Sequence, residues 1–122
     1  IFDSSRVNAV AINQKVDLNL EKIMIPDNLE IGLHHKVRNT DLDINNHANN
    51  AKYVEWIYNT LPIDFLKNKD QYYFQINYLG EAHLSDQVEI KRSPIQNDWN
   101  NFYFEGKNLN SDKKFFTAKL AV

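Results

Sequence analysis

The spacing of apolar residues changes from a helical to a strand pattern after residue 61 of this 122-residue chain, and that change limits the folds the chain can adopt. Between residues 49 and 61 apolar side chains recur three and four positions apart, which places them on one face of a helix. These are Tyr53, Trp56, Ile57 and Leu61. Pro62 then ends the helix, because proline has no N–H to donate. From residue 72 onward, apolar and polar residues alternate, as they do in half-buried strands. One helix, over residues 49–60, is therefore predicted to precede a sheet.

The predicted strands are short and are joined by short polar connections, which favour antiparallel pairing. They cover residues 30–38 before the helix and, after it, residues 72–78, a segment around Val88 and Ile90, residues 99–105 and residues 115–121. A polar loop over residues 106–114 joins the last two. This order predicts an α+β domain in which one long helix is wrapped by a curved antiparallel sheet.

Domain organisation is predicted from the length of the chain and from the residues at which the predicted strands and helix begin and end. Residues 30–122 form one domain, and residues 1–29 form an N-terminal strand or linker. The chain begins at Ile1, in a segment that resembles the middle of a domain, so we expect a piece of a longer protein.

Composition excludes several classes of function. With 14 basic and 16 acidic residues the formal net charge is −2, which does not indicate a nucleic-acid partner. The chain has no cysteine, so thiolate zinc sites and thiol nucleophiles are excluded, and a cytoplasmic location is expected. No apolar run approaches the roughly 20 residues that span a bilayer, so no membrane span is predicted.

A polar segment at the start of the helix is the candidate site. Asp43, Asn45 and His47 occupy alternating positions, so in an extended segment their side chains would share one face. The backbone N–H groups at a helix start have no partner within the helix and carry partial positive charge, which suits a negatively charged oxygen. Residues 48–50, Ala48, Asn49 and Asn50, are therefore candidate oxyanion donors. This combination indicates the edge of an active site.

The segment has two other interpretations. A calcium loop would need glycine where Asn46 stands and a bidentate glutamate where Lys52 stands. An Asn-rich turn that only caps the helix explains several of the same residues. Asp41 fits such a structural role better than a catalytic one.

His34 and His35 are predicted to be surface or hydrogen-bonded residues, and His83 is predicted to be a polar residue at the end of a strand. No metal is assigned to these histidines. Lys113 and Lys114 are most simply a solvated turn, with docking of an acidic carrier protein as the alternative.

The segment D-L-D-I-N-N-H-A-N-N-A-K-Y-V-E-W at residues 41–56 resembles the signature D-L-D-x-N-x-H-x-N-N-x-x-Y-x-x-W of acyl-acyl-carrier-protein thioesterases. The similarity continues to Y-L-G-E-A at residues 78–82 and covers roughly residues 30–92. It implies the hot-dog fold. Members usually carry two hot-dog repeats, the second with the motif, so this chain is similar to the second repeat. It is then expected to form a homodimer or to pair with a missing N-terminal repeat.

The same resemblance implies a catalytic set of Asp43, Asn45 and His47, with Glu81 as a downstream acid. Plant relatives have a cysteine after that acid, where this chain has Ala82. The implied reaction is hydrolysis of fatty acyl thioesters of acyl carrier protein to free acid and carrier thiol, without a cofactor.

The implied roles leave some choices open. Glu81 or His47 activates water, Asn45 holds the water or the imidazole, and direct attack by a carboxylate remains an alternative. Two other functions also remain open: an acyl-CoA thioesterase of the 4-hydroxybenzoyl-CoA type, and a non-catalytic module that binds acyl thioesters.

Overall fold

The computed structural model describes residues 9–12, 22–62, 72–95 and 101–121. Within these ranges the chain forms six strands, one α-helix and a short 3-10 turn. The elements are β1 Ala9–Ile12, β2 Glu30–Lys36, the 3-10 turn Asn39–Asp41, α1 Asn50–Tyr58, β3 Tyr72–Tyr78, β4 Gln87–Arg92, β5 Asn101–Asn108 and β6 Lys114–Ala121.

All six strands belong to one antiparallel sheet, in the order β1-β3-β6-β5-β4-β2. This arrangement confirms the predicted α+β class and the antiparallel pairing. Strand β1 pairs with β3, so part of the segment before residue 30 belongs to the same sheet. The domain boundary at residue 29 stays a prediction.

The apolar face of α1 packs on the sheet, as its spacing predicted. Tyr53, Trp56 and Ile57 are buried, whereas Glu55 and Asn59 on the opposite side are exposed. The Tyr53 ring centroid lies 5.3 Å from that of Phe116. The aromatic and aliphatic residues of the sheet that share this core are Phe74, Ile76, Val88, Ile90, Phe102, Phe104, Phe115, Phe116, Ala118 and Leu120. Trp56 is a core residue, as predicted.

The predicted loop over residues 106–114 is wrong at both ends. Strand β5 continues to Asn108 and β6 begins at Lys114, which leaves a turn of five residues. Gly106 was interpreted as the start of the loop, but it lies in β5 directly opposite Phe116. A Cβ atom on Gly106 would lie 2.2 Å from Cε2 of the Phe116 ring. The glycine therefore makes room for that ring, a recognised use of glycine in strands. Trp99, at the predicted start of this strand, lies outside the described residues.

Within the described ranges, no helix has both the length and the apolar character needed to cross a bilayer.

Candidate active site

Asp41 ties strand β2 to the start of α1. Its carboxylate is buried, accepts the backbone N–H of Arg38 at 2.9 Å and is hydrogen-bonded to Nε2 of His35 at 2.8 Å. The backbone carbonyl oxygen of Asp41 accepts the N–H of Asn49 at 2.9 Å. The His35 ring in turn packs on Trp56, with ring centroids 4.6 Å apart. Asp41 therefore has the structural role expected for it, and His35 is a hydrogen-bonded histidine rather than part of the site.

Competing influences act on the ionisation of Asp41. Burial alone would raise the pKa of its carboxyl group, but the hydrogen bonds from Arg38 and His35 and the positive charge of Lys52 outweigh that effect. The pKa of Asp41 lies below its ordinary value as a result.

Residues 43–47 form a tight turn rather than the extended segment that was predicted. The N–H of Asn46 donates to the carbonyl of Asp43 at 3.0 Å, and the N–H of Asp43 donates to the carbonyl of His47 at 2.9 Å. Asn46 has a φ of 63°, a left-handed conformation that asparagine tolerates better than most residues. Alternating positions therefore do not place Asp43, Asn45 and His47 on one strand face.

The Asp43 carboxylate stabilises this turn from inside. Its Oδ1 accepts the backbone N–H of Asn45 at 2.8 Å and that of His47 at 3.3 Å. Asp43 thus acts on the other two motif residues through their backbone. Asn45 is exposed, and the described residues show no hydrogen bond from its amide to His47 or Glu81. Ile44, at the tip of the turn, is 95% exposed.

His47 and Glu81, which are 34 positions apart in sequence, meet in space. Nδ1 of His47 lies 3.0 Å from Oε2 of Glu81, and their side chains are 36% and 61% exposed. The pairing of an imidazole with a carboxylate at hydrogen-bond distance is the arrangement that prepares a histidine for general-base chemistry. Of the four residues in the predicted catalytic set, these two are in direct side-chain contact.

His83 joins this pair, which its interpretation as a polar strand-end residue did not include. It forms an isolated antiparallel bridge with His47, and its ring meets that of His47 edge-on with centroids 5.0 Å apart. The signal in the sequence was its position two residues after Glu81. Asp86 accepts the backbone N–H of His83 at 2.9 Å, so this side of the site is also stabilised by an aspartate.

The backbone on both sides of Glu81 is bonded to a tyrosine of the helix. The buried Tyr53 hydroxyl donates to the carbonyl of Gly80 at 3.1 Å and accepts the N–H of Ala82 at 2.9 Å. Burial raises the pKa of Tyr53 to about 12, so its hydroxyl keeps its proton and remains a donor at neutral pH. Sequence reasoning placed Tyr53 in the core but did not find this role.

Lys113 is a second residue whose role was missed. It is exposed in the turn, as predicted, but its ammonium group also donates to the carbonyl of Glu81 at 2.8 Å. The neighbouring Lys114 instead pairs with Glu105 at 3.1 Å. The two adjacent lysines therefore have different partners, and one of them stabilises the segment that carries Glu81.

Two of the three predicted oxyanion donors at the helix start, the N–H groups of Ala48 and Asn49, donate to backbone carbonyls of the fold. The N–H of Ala48 donates to the carbonyl of Ala82 at 2.8 Å, and the N–H of Asn49 donates to the carbonyl of Asp41 at 2.9 Å. The Asn49 side chain caps the helix by accepting the N–H of Ala51 at 2.9 Å. The N–H groups of Ala48 and Asn49 are committed to the fold, so the prediction is wrong for both. Asn50, the third predicted donor, is the first residue of α1.

Comparison with known proteins identifies the family of this chain. The family model described as the acyl-ACP thioesterase C-terminal domain matches residues 26–118. Among curated proteins, the chain is 39% identical over 49 residues to a chloroplastic dodecanoyl-[acyl-carrier-protein] hydrolase of Cinnamomum camphora, covering 40% of this chain and 13% of that protein.

Two solved structures show the same fold. An acyl-ACP thioesterase from Bacteroides thetaiotaomicron superposes with a TM-score of 0.71 and 22% identity, over 84% of this chain and 41% of that one. The 12:0-ACP thioesterase from Umbellularia californica gives a TM-score of 0.64 and 22% identity, over 88% of this chain and 42% of that one. The chain therefore spans less than half the length of these relatives.

The helix, the sheet and the motif together define a hot-dog domain of the thioesterase type, as predicted. Since the family match covers more than half of its residues, the chain belongs to the acyl-ACP thioesterase C-terminal domain family.

Proposed function

We propose that this chain carries the catalytic residues of an acyl-acyl-carrier-protein thioesterase, which hydrolyses a fatty acyl thioester to the free acid and the carrier thiol. The observation that supports this most is the 3.0 Å contact between Nδ1 of His47 and Oε2 of Glu81. Family membership and the names of the relatives agree with the same reaction.

The proposed reaction uses the two nitrogens of His47 differently. Glu81 accepts a hydrogen bond from the protonated Nδ1 of His47, which leaves the lone pair of Nε2 available to a water molecule. Nε2 takes a proton from that water while its oxygen forms a bond to the thioester carbonyl carbon. The C–S bond then breaks, and the proton on Nε2 passes to the departing sulfur. Glu81 stabilises the imidazolium formed in between.

The other two motif residues have supporting roles in this proposal. Asp43 is a positioning residue, since its carboxylate holds the backbone N–H groups of Asn45 and His47. The Asn45 side chain is exposed at the turn, and we assign its amide to the attacking water. Ala82 is fully buried beside Tyr53, so no side chain at this position takes part in the reaction.

We also propose that acyl carrier protein is the substrate carrier and that the domain pairs with a second hot-dog unit, in a homodimer or in the same polypeptide. Three apolar side chains near the site are exposed and would gain from such a partner: Ile44, Leu79 and Leu84. The solved relatives are more than twice as long as the part this chain matches, which favours pairing within one polypeptide. The cytoplasmic location stays a prediction.

Hydrolysis by the full-length protein tests the proposed reaction. We expect His47→Ala and Glu81→Ala to lower kcat on acyl-acyl-carrier-protein by roughly 10²- to 10⁴-fold, the range for loss of general-base catalysis. Glu55→Ala and His34→Ala are matched controls, because Glu55 is exposed on the outer face of α1 and His34 pairs with Glu89. If the His47→Ala and Glu81→Ala variants hydrolysed the substrate with the kcat of wild type, the catalytic assignment would be lost.

The same assay with acyl-CoA decides the carrier. We expect a higher kcat/KM with acyl carrier protein than with CoA at equal acyl chain length. A preference for CoA would favour the alternative of a CoA thioesterase, and turnover of neither thioester would favour a binding module.

A further inference from the structure

Three side chains of types that can bind a metal converge where the turn before α1 meets the segment between β3 and β4. One ligand atom from each of His47, Glu81 and His83 lies within 4.8 Å of the other two. The antiparallel bridge between His47 and His83 and the hydrogen bond from Ala48 to Ala82 bring these two segments together. We propose that the three side chains bind a divalent transition metal of the zinc class. This assignment differs from the sequence-based expectation, in which no metal was given to any histidine.

The donor set fits zinc rather than magnesium or calcium. Two imidazole nitrogens and one carboxylate oxygen are common zinc ligands, whereas magnesium and calcium prefer oxygen ligands alone. Bonds of about 2.0–2.2 Å in a tetrahedral site hold ligand atoms roughly 3.3–3.6 Å apart. The three ligand atoms lie within 4.8 Å of one another, so the side chains would have to rotate to bind one ion. All three groups have access to solvent, which leaves a fourth position for water.

The backbone under these ligands is held by groups that are not ligands themselves. Asp43 accepts the backbone N–H of His47, and Asp86 accepts that of His83. The Tyr53 hydroxyl is bonded to the residues on either side of Glu81. A metal would therefore meet three side chains on a backbone that is already fixed, which lowers the entropic cost of binding.

Metal binding has a consequence for hydrolysis, and this step rests on the proposed function. An ion that takes both the His47 imidazole and the Glu81 carboxylate replaces the hydrogen bond between them. The histidine then no longer accepts a proton from water in the proposed manner. Zinc is therefore expected to inhibit the reaction.

Titration of the full-length protein with ZnCl2, followed by calorimetry, tests the site directly. We expect saturable binding that is at least about tenfold weaker in His83→Ala and in His83→Gln, since even the loss of a group supporting a metal ligand costs that much. His34→Ala, which removes an exposed histidine elsewhere on the sheet, is expected to bind zinc like wild type. Thermal unfolding of each variant without metal checks that the fold is kept.

Two results would overturn the proposal: wild-type protein without saturable zinc binding, or His83 variants that fold and bind zinc as tightly as wild type. Inhibition is measured separately, with wild type expected to lose more activity than His83→Ala at the same zinc concentration. If zinc binds in this manner but the metal-free protein hydrolyses no thioester, the metal site stands and the proposed function fails. If the protein hydrolyses the thioester but does not bind zinc, the proposed function stands and the metal site fails.

Discussion

The hydroxyl of Tyr53 accepts a hydrogen bond from the backbone N–H of Ala82, 2.9 Å away. The same hydroxyl donates to the carbonyl of Gly80, so its two bonds lie on either side of Glu81. A buried side chain of the helix thereby fixes the backbone from which an exposed carboxylate reaches His47. The core and the proposed catalytic pair are connected through this single oxygen atom.

Replacement of Tyr53 by phenylalanine tests that connection. Tyr53→Phe leaves the Gly80 carbonyl and the Ala82 N–H without their partner, so we expect the free energy of unfolding to fall by about 1–3 kcal/mol. We also expect kcat to fall, because Glu81 loses its fixed backbone. Urea unfolding and steady-state kinetics measure the two effects. Tyr103→Phe, which removes a hydroxyl from a half-buried tyrosine of β5, is the control. Equal effects of the two substitutions would contradict the role of Tyr53.

The adjacent lysines provide a matched pair for a second prediction. Lys113→Met removes the bond to the Glu81 carbonyl, and we expect kcat to fall about two- to tenfold, well below the roughly 100-fold that a 1 Å displacement can cause. Lys114→Met removes only the contact with Glu105 and is expected to leave kcat unchanged. If both substitutions instead raise KM for acyl carrier protein with kcat unchanged, the lysines dock the carrier and do not position Glu81.

Asp41 predicts a dependence of stability on pH. Its pKa in the folded protein lies below the ordinary value of 3.8, so its contribution to stability is complete above that value and is lost as the pH falls through the folded-state pKa. We expect Asp41→Asn to lower the free energy of unfolding by about 1–3 kcal/mol at pH 7, with a smaller difference from wild type below pH 3.8.

Denaturant unfolding as a function of pH measures the effect of Asp41→Asn. Asp112→Asn, at an exposed position in the turn between β5 and β6, is the control and is expected to follow wild type. If the difference in free energy of unfolding between Asp41→Asn and wild type stayed constant from pH 7 to below pH 3.8, the charge of Asp41 would not stabilise the fold.

Gly106 predicts a packing effect in the core. An added methyl group would lie 2.2 Å from the Phe116 ring, so we expect Gly106→Ala to destabilise the protein by about 1–3 kcal/mol. Shortening the opposing side chain should relieve part of this clash. The double variant with Phe116→Leu is therefore expected to lose less stability than the sum of the two single losses, as thermal or urea unfolding would show. Strict additivity would mean that the two residues do not clash.

The sequence was sufficient for the elements but not for all of the contacts between them. The spacing of Tyr53, Trp56 and Ile57 predicted a helix and its buried face, because the period of apolar residues follows directly from helix geometry. Gly106 was misinterpreted, since a glycine that admits a ring across a strand looks the same in sequence as one that starts a turn.

Sequence patterns also predicted only some of the contacts in the candidate site. The family signature brought Glu81 into one set with His47, and the two side chains are in contact. The bonds from Tyr53 and Lys113 to the Glu81 segment join residues about 30 positions apart, and no local pattern carries such a pairing. The turn at Asn46 was expected only in the alternative of an Asn-rich cap, because alternating polar residues fit an extended segment equally well.

The full exposure of Ile44 has a practical consequence. Its side chain projects from the turn that Asp43 closes, and the 122 residues contain no cysteine. A cysteine introduced there would be a unique attachment point within this domain for a fluorescent or spin label, three residues from His47. Such a label would report the approach of a second domain, a carrier protein or a metal ion as a change in its spectrum, without altering any residue to which we assign chemistry.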